Sequence, residues 1–153
     1  MNFTGVQRRL TLVYKNKNNL IFDDYAHHPT EIKATLQGAK SIETNKLIAI
    51  FQPHRYSRLK FLLEEFKGVF EGADEVILMP VFAAGEKDEF GVGLEDLARV
   101  SGHSNIRIET NEDNIEKYAA EGPGERTYLF MGAGSISGLA HRTAEKIAEI
   151  KKG

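Results

Sequence analysis

Leu47-Ile48-Ala49-Ile50-Phe51-Gln52-Pro53-His54-Arg55-Tyr56-Ser57-Arg58 is the stretch on which the reading of this chain turns. Its first five residues are all apolar, the pattern of a strand covered on both faces, as in a parallel sheet. A polar cluster, Gln52 to Arg58, follows at once. Beyond it, Phe61, Leu62, Phe66, Val69 and Phe70 predict one helix with an apolar stripe, ended by Gly72. A buried strand, a polar turn and an amphipathic helix in this order form half of a βαβ unit.

The same grammar repeats on either side. Leu10 to Tyr14 and Leu20 to Phe22 read as two short strands joined by the polar turn Lys15-Asn16-Lys17-Asn18-Asn19, which predicts an antiparallel hairpin. Pro29 suits the first turn of a helix carrying Ile32, Leu36 and Ala39 at helical spacing. Downstream, Val76 to Met79, Ile106 to Ile108 and Thr127 to Met131 read as strands. Leu94 to Val100, Asn111 to Ala120 and Ile136 to Ile150 read as helices, and Pro80 to Gly93 as a long glycine-containing loop. The expectation is a single α/β domain over 1–153. It is a Rossmann-like three-layer sandwich whose mostly parallel sheet has about six strands and an antiparallel N-terminal hairpin.

Composition narrows the function. Of 153 residues, 41% are hydrophobic, enough for a packed core. Twenty basic residues against 22 acidic ones leave a net charge of −2, without the basic excess of a nucleic-acid domain. With no cysteine, disulfides, zinc–thiolate sites and cysteine nucleophiles are excluded. No apolar run approaches the roughly 20 residues that span a bilayer, and the first residues lack a signal-peptide pattern. A soluble, cytoplasmic protein is expected.

Ligands of parallel α/β sheets bind outside the C-terminal ends of the strands. Four polar clusters fall on that predicted edge: Asp24–His28, His54–Arg58, Ala83–Lys87 and Gly132–Ser135. In the first, Asp and His can ligate a divalent ion, bond a ribose hydroxyl or hold an amine. Equally, the Asp side chains can cap a strand-to-helix turn. Arg55 and Arg58 share a face if the helix has begun. Together they suit a carboxylate or phosphate, unless they merely bridge to Glu64 or Glu65. Ala83–Lys87 reads as a lid or as a plain surface turn. Gly132-Ala133-Gly134-Ser135-Ile136-Ser137-Gly138 departs from the dinucleotide fingerprint, since its third glycine comes one residue late. No Walker A motif and no Gly-x-Ser-x-Gly elbow is present. Asp24, His27, His28 and His54 also define an alternative, a metal-dependent hydrolase. A free-standing ligand-binding module is the third reading.

Asp23-Asp24-Tyr25-Ala26-His27-His28-Pro29-Thr30-Glu31, then Phe51 to Arg58, then Ala83-Ala84-Gly85-Glu86, then Gly132-Ala133-Gly134-Ser135-Ile136 resemble the C-terminal domain of the Mur ligases over essentially the whole chain. Gln52 to Arg58 resembles most the alanine-adding branch, and Gly5 to Arg9 the lead-in to this domain. The resemblance implies one third of a peptidoglycan-building, ATP- and Mg²⁺-dependent ligase that joins L-alanine to UDP-N-acetylmuramate through an acyl phosphate. It implies an N-terminal UDP-binding and a central ATP-binding domain elsewhere in the polypeptide. By that resemblance, Tyr25, His27, His54, Arg55 and Arg58 bind L-alanine, and Arg9, Asp24 and His28 face the nucleotide. Arg8 is an alternative to Arg9. Ser135 departs from the Asp common among related ligases. Without a P-loop, this chain by itself is expected neither to hydrolyse ATP nor to form the amide, and to carry no bound cofactor.

Overall fold

The computed structural model describes residues 10–42 and 45–150. Strands β1 (Thr11–Lys15), β2 (Asn19–Asp24), β3 (Lys46–Phe51), β4 (Glu75–Leu78), β5 (Ile106–Ile108) and β6 (Arg126–Met131) form one sheet in the order β1-β2-β6-β3-β4-β5. Only β1 runs antiparallel, hairpinned to β2; the other neighbours pair in parallel. The expected hairpin and parallel sheet are therefore both present. Helices α1 (Pro29–Ile42), α2 (Tyr56–Leu62), α3 (Leu94–Ser101), α4 (Glu112–Glu121) and α5 (Ile136–Ile150) cover it.

The period of two along each strand divides the core between the two faces. On β3, Leu47, Ala49 and Phe51 pack under α1, α2 and α3, with Ile32, Leu36, Leu59 and Leu97. Ile48 and Ile50 point the other way, with Tyr128 and Phe130 of β6, toward Ile115, Ile136 and Leu139 of α4 and α5. Because both faces are covered, β2, β4 and β6 are buried along their whole length. Helix α3 stops at Gly102, whose φ of 72° closes the end in the left-handed conformation.

One element differs from its sequence reading. The single helix expected to carry Phe61 through Phe70 is instead α2, which stops at Leu62, a 3-10 turn, Leu63–Phe66, and a turn at Gly68 with φ 75°. Leu62, Phe66 and Phe70 stay buried, but Phe61 is 85% exposed. Leu62 and Leu59 take the core side of this short helix, and Phe61 turns to the open side. Phe61 therefore does not belong to the stripe.

Candidate functional site

The loops after β2, β3, β4 and β6 meet at the C-terminal edge of the sheet, as expected from their sequence positions. The edge is stitched by the backbone. Gly132 N–H donates to Asp24 O at 3.1 Å, and Gln52 N–H donates to Met131 O at 3.0 Å. Gln52, which sequence reasoning left without a role, is the central tie. Its amide Nε2 donates to Ser135 Oγ at 3.2 Å, and its Oε1 accepts from Ile136 N–H at 3.2 Å. Ser135 thus anchors the turn that opens α5. The glycines of that turn are needed for close packing. A Cβ on Gly134 would lie 2.5 Å from Phe82 Cγ and 2.9 Å from Gln52 Oε1. The fingerprint-like spacing here serves helix–strand approach.

The turn after β2 is ordered by its own polar residues. Asp24 is fully buried; its Oδ1 accepts from Ala26 N–H and its Oδ2 from Leu10 N–H, both at 2.7 Å. The capping reading of this aspartate describes what the carboxylate does, and it offers no surface to a ligand. His28 stands just before Pro29 and caps α1, its Nδ1 accepting from Thr30 N–H at 3.2 Å. Glu31 reaches back to the His28 and His27 N–H groups at 3.2 and 3.3 Å, half of a capping box. His27 turns its Nδ1 to Tyr25 O at 3.0 Å, so that nitrogen donates. Arg9 and its neighbour Arg8 lie outside the described residues.

After β3 the chain passes through Pro53 and His54 in a bridge to Phe82 of the β4 loop. Phe82 N–H donates to Pro53 O and Arg55 N–H to Phe82 O, each at 2.8 Å. Arg55 then takes φ 71°, ψ 134°, where a side chain costs about 1–3 kcal/mol of backbone strain. The loop Ala83–Lys87 is neither free lid nor bare turn. Its Glu86 carboxylate accepts from Ser57 N–H at 3.0 Å and from the Ser57 hydroxyl. Those two bonds, the hydroxyl's first, hold the Glu86 carboxyl below the usual carboxylate range. Ser57 and Glu86 fell inside the named clusters without a role of their own and Phe82 fell outside them, because their partners sit about 30 residues away and no local spacing marks them.

Four rings cross the edge in a row. Tyr25 meets His27 edge-on at 5.3 Å between centroids, His27 meets His54 at 6.0 Å, and His54 stacks on Phe82 at 5.6 Å. Burial pushes the His54 pKa below the ordinary histidine value. The charges of His27, Arg55 and Arg58 push it further, and Glu86 partly opposes them. Beside these rings lies an open groove of about 520 Å³ lined by His28, Arg55, Ser57, Arg58, Phe61 and Leu62. Arg58 also lines a small cleft with His27 and His54. Among the described residues, neither Arg55 nor Arg58 forms an ion pair, so the bridge to Glu64 or Glu65 is not made. The site is therefore a cationic groove with two guanidiniums ready for an anion.

The metal alternative fails on geometry. Among the described residues no group of three His, Asp or Glu side chains converges to hold an ion. Asp24 is buried on backbone amides and His28 Nδ1 is taken by its helix. No helix among the described residues is long and apolar enough to cross a membrane.

Residues 8–134 match the family described as "Mur ligase, glutamate ligase domain". The chain is 48% identical to a UDP-N-acetylmuramate–L-alanine ligase of Fusobacterium nucleatum, over 95% of this chain and 33% of that protein. It is 40% identical to the enzyme of the same name from a Chelativorans species, over 95% of this chain and 32% of that protein. The crystal structure of the UDP-N-acetylmuramate–alanine ligase of Thermotoga maritima superposes with a TM-score of 0.72 at 29% identity, over 93% of this chain and 30% of that one. The chain thus spans about a third of the length of the curated relatives it matches. Profile, sequence relatives and fold agree, and the chain belongs to the Mur ligase family, matching its glutamate ligase domain.

Proposed function

We propose that this chain, 1–153, is the amino-acid-binding domain of an ATP-dependent ligase that joins L-alanine to UDP-N-acetylmuramate during peptidoglycan synthesis in a bacterial cytoplasm. Its relatives carry that name, and the observation that supports this domain's share is the unpaired Arg55 and Arg58 beside the groove. The remaining two thirds of the enzyme, a UDP-binding and a central ATP-binding domain, complete the reaction. This chain has no P-loop, so alone it neither hydrolyses ATP nor forms the amide.

Chemically, ATP converts the muramoyl carboxylate to an acyl phosphate, and the amine of alanine displaces phosphate. Arg55 and Arg58 hold the alanine carboxylate by charge-assisted hydrogen bonds. Tyr25, His27 and His54 form the wall against which the amino acid is oriented. Arg9 and His28 face the nucleotide, and Asp24 keeps the turn that presents His27 and His28. Mg²⁺, when bound, offsets phosphate charge. The described residues contain no group of three ligands for it.

The test is steady-state kinetics of the full-length enzyme. Removing a charged hydrogen-bond partner costs about 1.5–3 kcal/mol, so Arg55→Ala and Arg58→Ala should each raise the alanine KM about 10- to 100-fold. The KM for ATP should hold. An unchanged alanine KM in both variants would take the arginines out of the site.

A further inference from the structure

An α-amino acid arrives with its amine protonated, and an ammonium has no lone pair with which to attack. Resting on the ligase reading above, a proton acceptor must therefore stand near the carboxylate-binding arginines. Most titratable groups at this edge are already committed. Asp24 is buried on two backbone amides. Glu31 caps α1, and Glu86 is tied to Ser57. His28 Nδ1 accepts from Thr30 N–H, so the proton of its neutral ring sits on Nε2 and no lone pair remains. His27 donates from Nδ1 to Tyr25 O, which ties its ring to its own turn and leaves only Nε2 with a lone pair, so His27 is the rival that the experiment below must separate.

His54 is different. Its ring makes aromatic contacts with His27 and Phe82, and among the described residues neither ring nitrogen has a hydrogen-bond partner. It directly precedes Arg55 and shares the small cleft with Arg58. We infer that His54 is the catalytic base that takes the proton from the α-amine of the amino acid while Arg55 and Arg58 hold its carboxylate. The ammonium gives one proton to the imidazole. The freed lone pair forms the C–N bond to the acyl phosphate carbon, and the C–O bond to phosphate breaks, phosphate leaving with the electron pair. The second surplus proton on nitrogen goes to the departing phosphate, and the imidazolium later returns its proton to water.

The groups that face His54 suit this part. His27 comes from the β2–α1 turn, Arg55 and Arg58 from the start of α2, Glu86 from the β4 loop, with apolar Phe82 on its other side. Burial and three nearby cationic or ionisable groups favour the neutral ring, and one carboxylate opposes them. A neutral imidazole at working pH is what a general base requires.

The experiment compares His54→Asn, His54→Gln and His27→Asn in the full-length enzyme. Each is assayed with L-alanine and, separately, with hydroxylamine, which is unprotonated at neutral pH and traps the acyl phosphate as a hydroxamate. Both His54 variants should lose about 100-fold or more in kcat with alanine, while its KM stays within about threefold. ATP-dependent hydroxamate formation should remain near wild type. The wild-type kcat should fall as pH drops and the base is protonated, and the His54 variants should lose that inflection. A raised alanine KM with kcat intact would reduce His54 to a contact residue and overturn the inference. So would a parallel loss of hydroxamate in both His54 variants, or a kcat loss confined to His27→Asn. If the wild type gives no ATP-dependent hydroxamate, the ligase reading itself has failed.

Discussion

The two edges of the sheet both carry dense charge, yet they are built to opposite ends. At the N-terminal edge the Glu75 carboxylate, at the start of β4, is 4% exposed. Lys46 Nζ lies 3.6 Å from it, Tyr118 OH donates to it at 2.5 Å, and Arg107 pairs with it. The Arg107 and Arg126 guanidiniums lie 4.7 and 5.2 Å from the Tyr118 ring centroid. At the C-terminal edge the carboxylates are spent on backbone amides and a serine, and the guanidiniums of Arg55 and Arg58 are left over. One edge closes its charges on each other and stabilises the fold. The other leaves two cations unpaired beside a strained backbone, where the proposed amino-acid site lies.

This contrast is open to attack by substitution. The largest effect belongs to the closed edge. Burial pushes the Glu75 carboxyl up, but hydrogen bonds from Tyr118 and Arg107 and the charges of Arg107 and Lys46 outweigh it and hold it below the usual range. A carboxyl depressed in the folded state stabilises above its unfolded pKa, and the effect is lost as pH falls through the folded one. Glu75→Ala should cost about 3 kcal/mol in urea unfolding at pH 7, with the difference shrinking in acid. An equal cost at pH 7 and at acid pH would show that Glu75 acts by packing rather than charge.

Gly134→Ala should cost about 1–3 kcal/mol, because its Cβ drives into Phe82. Since Phe82 backs His54, the full-length variant should also lose alanine turnover. Unfolding measured beside turnover would expose the error if stability fell alone.

The smallest effect has the opposite sign. Arg55→Gly removes the side chain that strains φ 71°, so urea unfolding should show a gain of about 1 kcal/mol while alanine binding weakens. A loss of stability would mean that the Arg55 side chain supports the fold, and the contrast between the edges would collapse.

Much of this architecture was legible from the chain. The run Leu47–Phe51 has no polar residue, so only a two-sided burial suits it. The short turn Lys15–Asn19 leaves its flanking strands no route but a hairpin. The polar clusters after the strands fall on one edge because parallel strands share a direction. The single helix was not found because its apolar residues stay buried through the 3-10 turn, so periodicity does not mark the break, and Phe61, apolar yet exposed, lies outside that pattern. Glu75 escaped notice because one acid among strand residues has no local pattern to mark it.

The order of the strands was a matter for the tertiary structure. The last strand, β6, inserts between β2 and β3, and that insertion sets Ser135 and Ile136 against Gln52, more than 80 residues away in sequence. It is also what makes Asp24 a buried strut and brings Phe82 against Gly134. Sequence by itself determined all the strands and most of the helices, which ends of the strands gather the polar clusters, and through four motifs the family. Local periodicity and turn chemistry act over a few residues, so they suffice for that. Which carboxylate is consumed, which arginine stays unpaired and which histidine keeps both ring nitrogens free depend on what the packed chain brings together. Only the packed sheet decides them, because hydrogen-bond satisfaction is settled by what burial brings together.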